Sequence, residues 1–262
     1  MKVAYFGFDL FYDCLEQIVK SGHEIVKIFT CKVDGEYEFS NKVYSFESKN
    51  NIKITDEKVS VDDIISLKNA GCELLFSAGY YFKIPVVADV LGVNVHPALL
   101  PIGRGPWPQP VTILKDIKKT GITLHKLSAG FDEGDIILQK SFNLDSCENL
   151  ETLTEKYAYY ARIATEELFC EFEKLILNSV EQQKGEYWPE PTKNDMTFFD
   201  TDDENKIDTV LRAFYGFKCE MITKERTVKI KKGQLFFEVD NHFDENDIYK
   251  VNGGYVVVFE YA

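Results

Sequence analysis

The sequence lacks two features that would place it among secreted or membrane proteins. Its six cysteines form no C-x-x-C pair, which argues against a disulfide framework or a zinc site and favours reduced structural thiols. No apolar stretch approaches the length of a membrane span, and Lys2, Asp9 and Asp13 place charges in the first turns, where a leader would be apolar. We therefore expect a soluble cytoplasmic protein with no metal site.

Positive charge is also scarce. The chain has 30 Lys and Arg residues against 43 Asp and Glu residues, which gives a net charge of −13. A field of this sign repels a polyanion such as nucleic acid, although a local basic patch could still exist. The basic residues in 115–126 and 224–232 alternate with other residues, which is more typical of solvated faces than of phosphate-binding tracks.

The sequence does have enough apolar residues for a large core. Its 262 residues are 45% hydrophobic, which favours one large domain or a main domain with a small appendage. In the first half, short apolar runs alternate with amphipathic segments, a pattern that predicts a parallel, doubly wound sheet with ligands beyond the carboxyl ends of its strands. We predict strands over 2–7, 24–30, 73–79 and 92–98, helices over 11–21, 41–51 and 61–71, and a short helical turn after Pro85.

The second half divides into a continuation of this α/β pattern and a β-rich C-terminal module. We predict a helix over 110–119, strands over 121–128 and 135–144, a long helix over 150–178 and a linker over 178–195. For the module we predict a helix over 205–216, strands over 221–232 and 233–240, and a hairpin over 248–261 with Asn-Gly-Gly at its turn. The predicted domains are residues 1–185 and residues 186–262.

One segment carries residue types that an ordinary loop does not need. Asn94 and His96 alternate along a predicted strand, so their side chains point to the same face, and the stiff HPALLP stretch follows at once. A second, acidic loop at 128–136 holds Asp132 and Asp135, either of which could return to the same sheet edge. The alternative is that Asn94 and His96 only hold the loop together.

An Asn, a His and an Asp at the mouth of a sheet suit acyl transfer to an amine. The amide and the imidazole can stabilise the oxyanion of a tetrahedral intermediate, and the carboxylate can orient the imidazole and take up protons. The sequence has no G-x-S-x-G setting for a serine nucleophile and no cysteine close to His96, and this chemistry needs no covalent nucleophile. His125, which lies on another strand, is interpreted as structural.

At these residues the chain resembles the folate-dependent formyltransferases related to methionyl-tRNA formyltransferase and to the amino-sugar N-formyltransferases. NVHPALLPIGRGPWP resembles the family signature N-x-H-x-x-L-L-P-x-x-R-G, and DEGDIILQ (132–139) resembles D-x-G-x-I-x-x-Q. TGITLH (120–125) and the interval from His96 to Asp132 also fit. Three motifs in order are more specific than one short match.

The resemblance implies an α/β, Rossmann-like catalytic domain with a small β-rich C-terminal module, which uses N10-formyltetrahydrofolate as co-substrate. It implies that Asn94 and His96 hold the formyl oxygen, and that Asp132 assists His96 and accepts a proton from the amine. The positions that correspond to the folate pocket are Tyr80, Tyr81, Leu99, Phe131 and Asp135. Arg104 and Trp107 correspond to substrate contacts, although both could instead brace the loop.

The departures from the family favour a small acceptor over tRNA. The segment at 31–40 is neutral to acidic where tRNA formyltransferases are basic, and GPWPQP differs from the usual form of its loop. The preferred hypothesis is therefore an N-formyltransferase for a nucleotide-linked amino deoxysugar, with a homodimer possible. The alternatives are methionyl-tRNA formyltransferase, formyltetrahydrofolate hydrolase, or a non-catalytic ligand-binding protein on the same fold.

Overall fold

The structure is a computed structural model that describes residues 1–239 and 242–262. In this part of the chain no helix is long and apolar enough to cross a membrane. The strands are β1 (Lys2–Gly7), β2 (Glu24–Phe29), β3 (Ile54–Thr55), β4 (Leu74–Ala78), β5 (Leu91–His96), β6 (Ile102–Arg104), β7 (Lys119–Lys126), β8 (Ile136–Asn143), β9 (Glu186–Tyr187), β10 (Thr197–Phe199), β11 (Cys219–Ile222), β12 (Thr227–Phe236), β13 (Ile248–Val251) and β14 (Gly254–Tyr261). The α-helices are α1 (Tyr12–Lys20), α2 (Asn41–Asn50), α3 (Val61–Asn69), α4 (Pro108–Leu114), α5 (Leu150–Cys170), α6 (Phe172–Leu177) and α7 (Glu204–Ala213).

Contacts divide the chain into two compact units, which are described separately. The first contains Met1–Pro106, Lys119–Phe142 and Glu155–Tyr187, and the second contains Trp107–Lys118, Asn143–Thr154 and Trp188–Ala262. The second unit thus includes two short segments that lie within the first 185 residues, as well as most of the C-terminal residues. The predicted domains 1–185 and 186–262 stay a prediction.

The first unit is built on a seven-stranded sheet with the order β3-β2-β1-β4-β5-β7-β8. From β3 to β5 neighbouring strands are parallel, as the strand–helix alternation predicts. The prediction of a parallel sheet from the strands of the first half is therefore confirmed. The strand β7 comes from the second half of the chain, after β6 and α4, and pairs with β5 in the antiparallel direction.

Alternate residues of the inner strands of this sheet point to opposite faces, and both faces are buried. On one side Phe6, Phe29 and Leu75 pack with Ile64 and Leu67 of α3. Tyr5 and Phe76 point to the other side, where the Phe76 ring lies 6.0 Å from that of Phe169 on α5. The apolar residues at helical spacing in α5 are fully buried, whereas Leu175, which continues the spacing into α6, is half-buried; the buried residues are Leu150, Leu153, Tyr157, Ala161, Ala164 and Leu168.

Three predicted helical segments differ from the structure. No helix follows Pro85: residues 83–87 have no regular structure, and the turn after them is held by Lys68, which donates to the Ala88 carbonyl. The helix predicted over 110–119 begins at Pro108 and ends at Leu114. Its early start is possible because the N–H groups of the first turn have no partner within the helix, so prolines are tolerated there. The helix predicted over 150–178 is broken at Glu171 into α5 and α6.

In the second unit, the C-terminal strands form a five-stranded sheet with the order β10-β11-β12-β14-β13. The hairpin predicted over 248–261 is confirmed, with Gly253 at φ +82° in its turn. The prediction of two strands that divide at Gly233 is wrong, since β12 runs through this residue and the chain turns earlier, at 223–226. The register of β12 against β14 shifts next to Gly233, and a glycine inside a strand commonly marks such a bulge.

Replacement of Gly121 by alanine tests the close approach of β7 and β8. A Cβ atom at this position would lie 2.0 Å from the Lys140 carbonyl oxygen, so the backbone must move, at a cost of about 2–3 kcal/mol in the free energy of unfolding. Gly22→Ala is the control, because its Cβ would meet nothing within 4 Å and only the left-handed backbone (φ +82°) costs about 1 kcal/mol. Denaturant unfolding measures both; equal losses would contradict the strand pairing.

Candidate active site

The carboxyl end of β5 carries the two residues that the sequence singles out. Asn94 and His96 are separated by one residue on this strand, and His96 is 4% exposed. The antiparallel neighbour β7 pairs Asn94 with His125 and His96 with Thr123. Two histidines and an amide are thereby brought to one end of the sheet.

The loop after β5 is held in place by the side chains of two later strands. The Thr123 hydroxyl donates to the Ala98 carbonyl at 2.6 Å and accepts from the Leu100 amide at 3.1 Å. Gln139 on β8 donates to the Leu100 carbonyl at 2.8 Å and to the Thr123 hydroxyl at 2.9 Å. The polar residues of the second and third motifs therefore have a structural role: they fix the loop that follows His96.

The acidic loop brings Asp132 to the two histidines. Asp132 Oδ1 lies 3.5 Å from His96 Nδ1 and 3.5 Å from His125 Nε2, and its Oδ2 accepts a 3.0 Å bond from the Gly105 amide. Asp132 itself has a left-handed backbone, with φ +55°, which is strained for a residue with a side chain. The sequence left the choice between Asp132 and Asp135 open to geometry, and only Asp132 lies against the histidines.

The remaining contacts fix which ring nitrogen of each histidine carries a proton. His96 Nε2 donates to the Gly103 carbonyl at 2.7 Å, and His125 Nδ1 donates to the Lys126 carbonyl at 2.9 Å, because a carbonyl can only accept. In the neutral rings, His96 Nδ1 and His125 Nε2 are therefore acceptors, and both face the Asp132 carboxylate. A proton that enters this triangle of acceptors is stabilised by all three groups.

Burial and charge shift the pKa values in this cluster. Burial lowers the pKa of His96 below its ordinary value, although the Asp132 carboxylate and the bond to the Gly103 carbonyl act in the opposite direction. Burial raises the pKa of Asp132, but the two imidazoles and the Gly105 amide outweigh it and lower the pKa to about 2. At neutral pH the site therefore holds an ionised Asp132 beside a neutral His96.

His125, interpreted from the sequence as structural, lies beside the candidate catalytic residues, and its structural role stays a prediction. Its Nε2 lies 3.1 Å from Asn94 Nδ2, so an amide N–H of Asn94 points to this ring. The ring is 2% exposed, and the register of β7 against β5 pairs His125 directly with Asn94. No sequence signal identifies this placement, because it depends on the antiparallel register of β5 and β7, which periodicity alone does not reveal.

The two residues predicted to contact substrate have partners inside the protein. Arg104 donates from Nε and Nη2 to Gln182 Oε1, at 3.1 and 2.8 Å, and its Nη1 lies 3.9 Å from Glu133. These bonds favour the bracing role for Arg104. Trp107 belongs to the second unit, where its half-buried ring meets those of Phe214 and Phe217 edge to face.

The residues predicted for the folate pocket fall into two groups. Tyr81 and Phe131 are 49% and 59% exposed, and Leu99 is half-buried on the loop after β5. Tyr80, by contrast, accepts from the Val59 amide and packs its ring against Phe6, while Asp135 pairs with Lys126 at 3.1 Å. The first group leaves apolar surface for a ligand, and the second is engaged in the fold.

Solved structures of similar proteins cover the whole chain. An N-formyltransferase from Helicobacter canadensis, in complex with folinic acid and dTDP-3-aminofucose, has 20% sequence identity and a TM-score of 0.68, with 98% of each chain covered. A 4-N formyltransferase from Francisella tularensis has 24% identity and a TM-score of 0.67, with 87% of this chain and 96% of that chain covered. These likenesses show the fold.

Sequence comparison gives the family. A methionyl-tRNA formyltransferase from Prochlorococcus marinus (strain MIT 9215) is 32% identical over 171 residues, 60% of this chain and 51% of that protein, so the chain spans about half the length of this curated relative. The family model described as formyl transferase matches residues 1–169, and these residues include Asn94, His96, His125 and Asp132. The resemblance is thus confirmed, and the chain belongs to the formyl transferase family.

Proposed function

We propose that this protein is an N-formyltransferase that moves the formyl group of N10-formyltetrahydrofolate to the amine of a nucleotide-linked amino deoxysugar. The observation that carries the proposal is the approach of Asp132 to His96, 3.5 Å between Oδ1 and Nδ1, at the carboxyl end of the strand that also bears Asn94. Membership of the formyl transferase family supports the same chemistry.

The exposed aromatic residues near the loops fit a folate. Tyr81, whose ring lies 5.2 Å from that of Phe8, and Phe131, whose ring lies 5.3 Å from Lys83 Nζ, are each about half exposed, and the exposed part of an aromatic ring can stack on the pterin or benzoyl ring of a folate. Leu99 adds an apolar side chain on the loop after His96. When bound, N10-formyltetrahydrofolate supplies an activated formyl group. Tyr80 and Asp135 stay predicted contacts, with their fold partners favouring a structural role.

Asn94 stabilises the charge that develops on the formyl oxygen. A carboxamide nitrogen has two N–H groups, and His125 Nε2 accepts from one of them at 3.1 Å, which fixes the orientation of the amide. The second N–H is a donor for an oxygen that gains negative charge during transfer. A donor held in advance by its neighbours pays no reorganisation cost during the reaction.

His96 and Asp132 handle the proton that the attacking amine loses. The lowered pKa keeps His96 neutral at physiological pH, with its Nδ1 lone pair available, because Nε2–H is committed to Gly103. A proton accepted at Nδ1 is stabilised by the ionised Asp132, whose own pKa of about 2 keeps it charged. The pair therefore accepts the proton that the amine loses as the new C–N bond forms, and the return of this proton to N10 as the formyl–N10 bond breaks gives tetrahydrofolate without a covalent step on the protein.

The whole-chain likeness and the surface charge support a small sugar acceptor over tRNA. The Helicobacter protein, whose structure holds dTDP-3-aminofucose, matches 98% of this chain. The net charge of −13 opposes tRNA binding.

All six cysteines are free thiols, which supports action in the reducing cytoplasm. A homodimer stays a prediction.

A panel of acceptors tests the proposed substrate class. We expect formylation of dTDP-3-amino or dTDP-4-amino deoxysugars, because a small amine can enter a site that repels a polyanion. Mass spectrometry of the sugar and release of tetrahydrofolate are the measurements, with the matching hydroxy sugar as the control that lacks an amine. Transfer only to methionyl-tRNA, folate turnover without an amine, or binding without turnover would each point to one of the alternatives.

Single substitutions test the roles of the three polar side chains. We expect Asn94→Ala, His96→Ala and Asp132→Ala each to lower kcat by about 10²- to 10⁴-fold, because each removes a donor or a proton acceptor. Steady-state kinetics with the best acceptor give the values, and near-ultraviolet circular dichroism verifies that each variant is folded. Turnover close to that of the wild type in any two of them would rule out the mechanism.

The pKa of His96 gives a test that does not need turnover. We expect His96 to titrate below its ordinary pKa of 6.5, and to titrate still lower in Asp132→Asn, because the carboxylate is a group that raises this pKa. Histidine-selective NMR across the pH range measures both values. His23, whose pKa is lowered by burial and by the N-terminal amine, is the internal control. An unchanged or higher pKa of His96 in the variant would contradict the pairing.

A further inference from the structure

The segment at 178–187, predicted as a linker, instead lies against both loops of the candidate active site. Val180 exchanges two 2.8 Å backbone bonds with Ile136, at the end of the acidic loop. The Glu186 amide donates to the Pro101 carbonyl at 3.1 Å, and β9 pairs with β6, the strand that ends at Arg104. The segment is therefore bonded at one end to the acidic loop and at the other to the loop that follows His96.

Between these two attachments, the side chain of Gln182 bonds to both loops at once. Its Oε1 accepts two bonds from Arg104, from Nε at 3.1 Å and from Nη2 at 2.8 Å. Its Nε2 donates to the carbonyls of Asp132 and Gly134, at 2.9 and 2.7 Å. All four hydrogen-bonding positions of the carboxamide are thus used.

The chemistry of this site requires an amide. A glutamate in place of Gln182 could accept from Arg104 but would direct a carboxylate oxygen toward the carbonyls of Asp132 and Gly134, to which it cannot donate. An alanine would lose all four bonds. A glutamate at position 182 could therefore pair with Arg104 alone, whereas the amide of Gln182 attaches both loops at once.

What Gln182 holds is the part of the acidic loop that needs restraint. Asp132 has a left-handed backbone, and such a conformation persists only where its surroundings enforce it. On the other side, Arg104 lies between Gly103, whose carbonyl accepts from His96, and Gly105, whose amide donates to Asp132. Gln182 thus bonds to Asp132 itself, to Gly134 two residues later, and to Arg104, whose two neighbours bond to His96 and Asp132.

We propose that Gln182 is a positioning residue that sets the distance between Asp132 and His96 by joining the loops that carry them. The proposal rests on the proposed function for its effect on turnover, but its effect on His96 is independent of any substrate. Gln182 acts through the Asp132 backbone and through Arg104, and it takes no part in proton transfer itself.

Two substitutions, Gln182→Ala and Gln182→Glu, test this role in the full-length protein. We expect kcat for formyl transfer to fall about 10- to 100-fold, because displacement of a reacting group by about 1 Å costs this much, while KM for both substrates changes little. Gln183→Glu is the matched control, since it places the same charge on the exposed neighbouring residue and should leave kcat unchanged. A higher KM with an unchanged kcat would overturn the proposal.

The titration of His96 separates positioning from a general loss of stability and from failure of the proposed function. If Asp132 moves away, the pKa of His96 falls in both Gln182 variants, as it does in Asp132→Asn. The added charge of Gln182→Glu alone would raise that pKa, so a fall in this variant can only come from displacement. An unchanged pKa of His96 in folded Gln182→Ala would overturn the proposal, and if that variant does not fold, the same result in Gln182→Met, an uncharged side chain of similar length, would do so. If the wild type transfers no formyl group to any acceptor, the proposed function fails while this measurement still decides the role of Gln182.

Discussion

The arrangement of the site depends on one buried negative charge, the carboxylate of Asp132. A carboxylate removed from water must be compensated by nearby charges and donors, or it becomes protonated. Here the Gly105 amide after β6 donates to the carboxylate, and ring nitrogens of His96 on β5 and His125 on β7 lie 3.5 Å from it, so that a proton taken up between these groups is shared by all three. The environment of the carboxylate therefore depends on two antiparallel strands and two loops.

The loops around this charge are held by uncharged side chains that bond to the backbone groups of the loops. Thr123 and Gln139 fix the loop after His96, and Gln182 joins that loop to the acidic one. These bonds oppose the strain of the left-handed Asp132 backbone. Polar motif residues that carry no charge thus contribute rigidity, and rigidity is what an electrostatic site requires, since a donor that moves freely stabilises nothing in advance.

The site and the acceptor preference are separable in this fold. The cluster around Asp132 lies in the first unit, within the residues that match the formyl transferase family, and its chemistry suits transfer to any amine. The family includes proteins that act on methionyl-tRNA, and the solved structures similar to this chain include enzymes named for sugar amines. In the function proposed for this protein, the cluster performs the formyl transfer, whereas the choice of amine follows from charge and from residues outside the cluster.

The sequence by itself determined the strands β1, β2, β4 and β5, the long helix α5 and the identity of Asn94, His96 and Asp132 as candidates. These features follow from local apolar periodicity and from short motifs in order, both of which a single chain displays. Only the tertiary structure decided that β7 runs antiparallel to β5, that His125 faces Asn94, and that residues 178–187 return to the site. The physical reason is that these contacts join residues from 27 positions apart (His96 and Thr123) to 84 positions apart (Ile102 and Glu186), and no local pattern encodes which distant polar groups must meet.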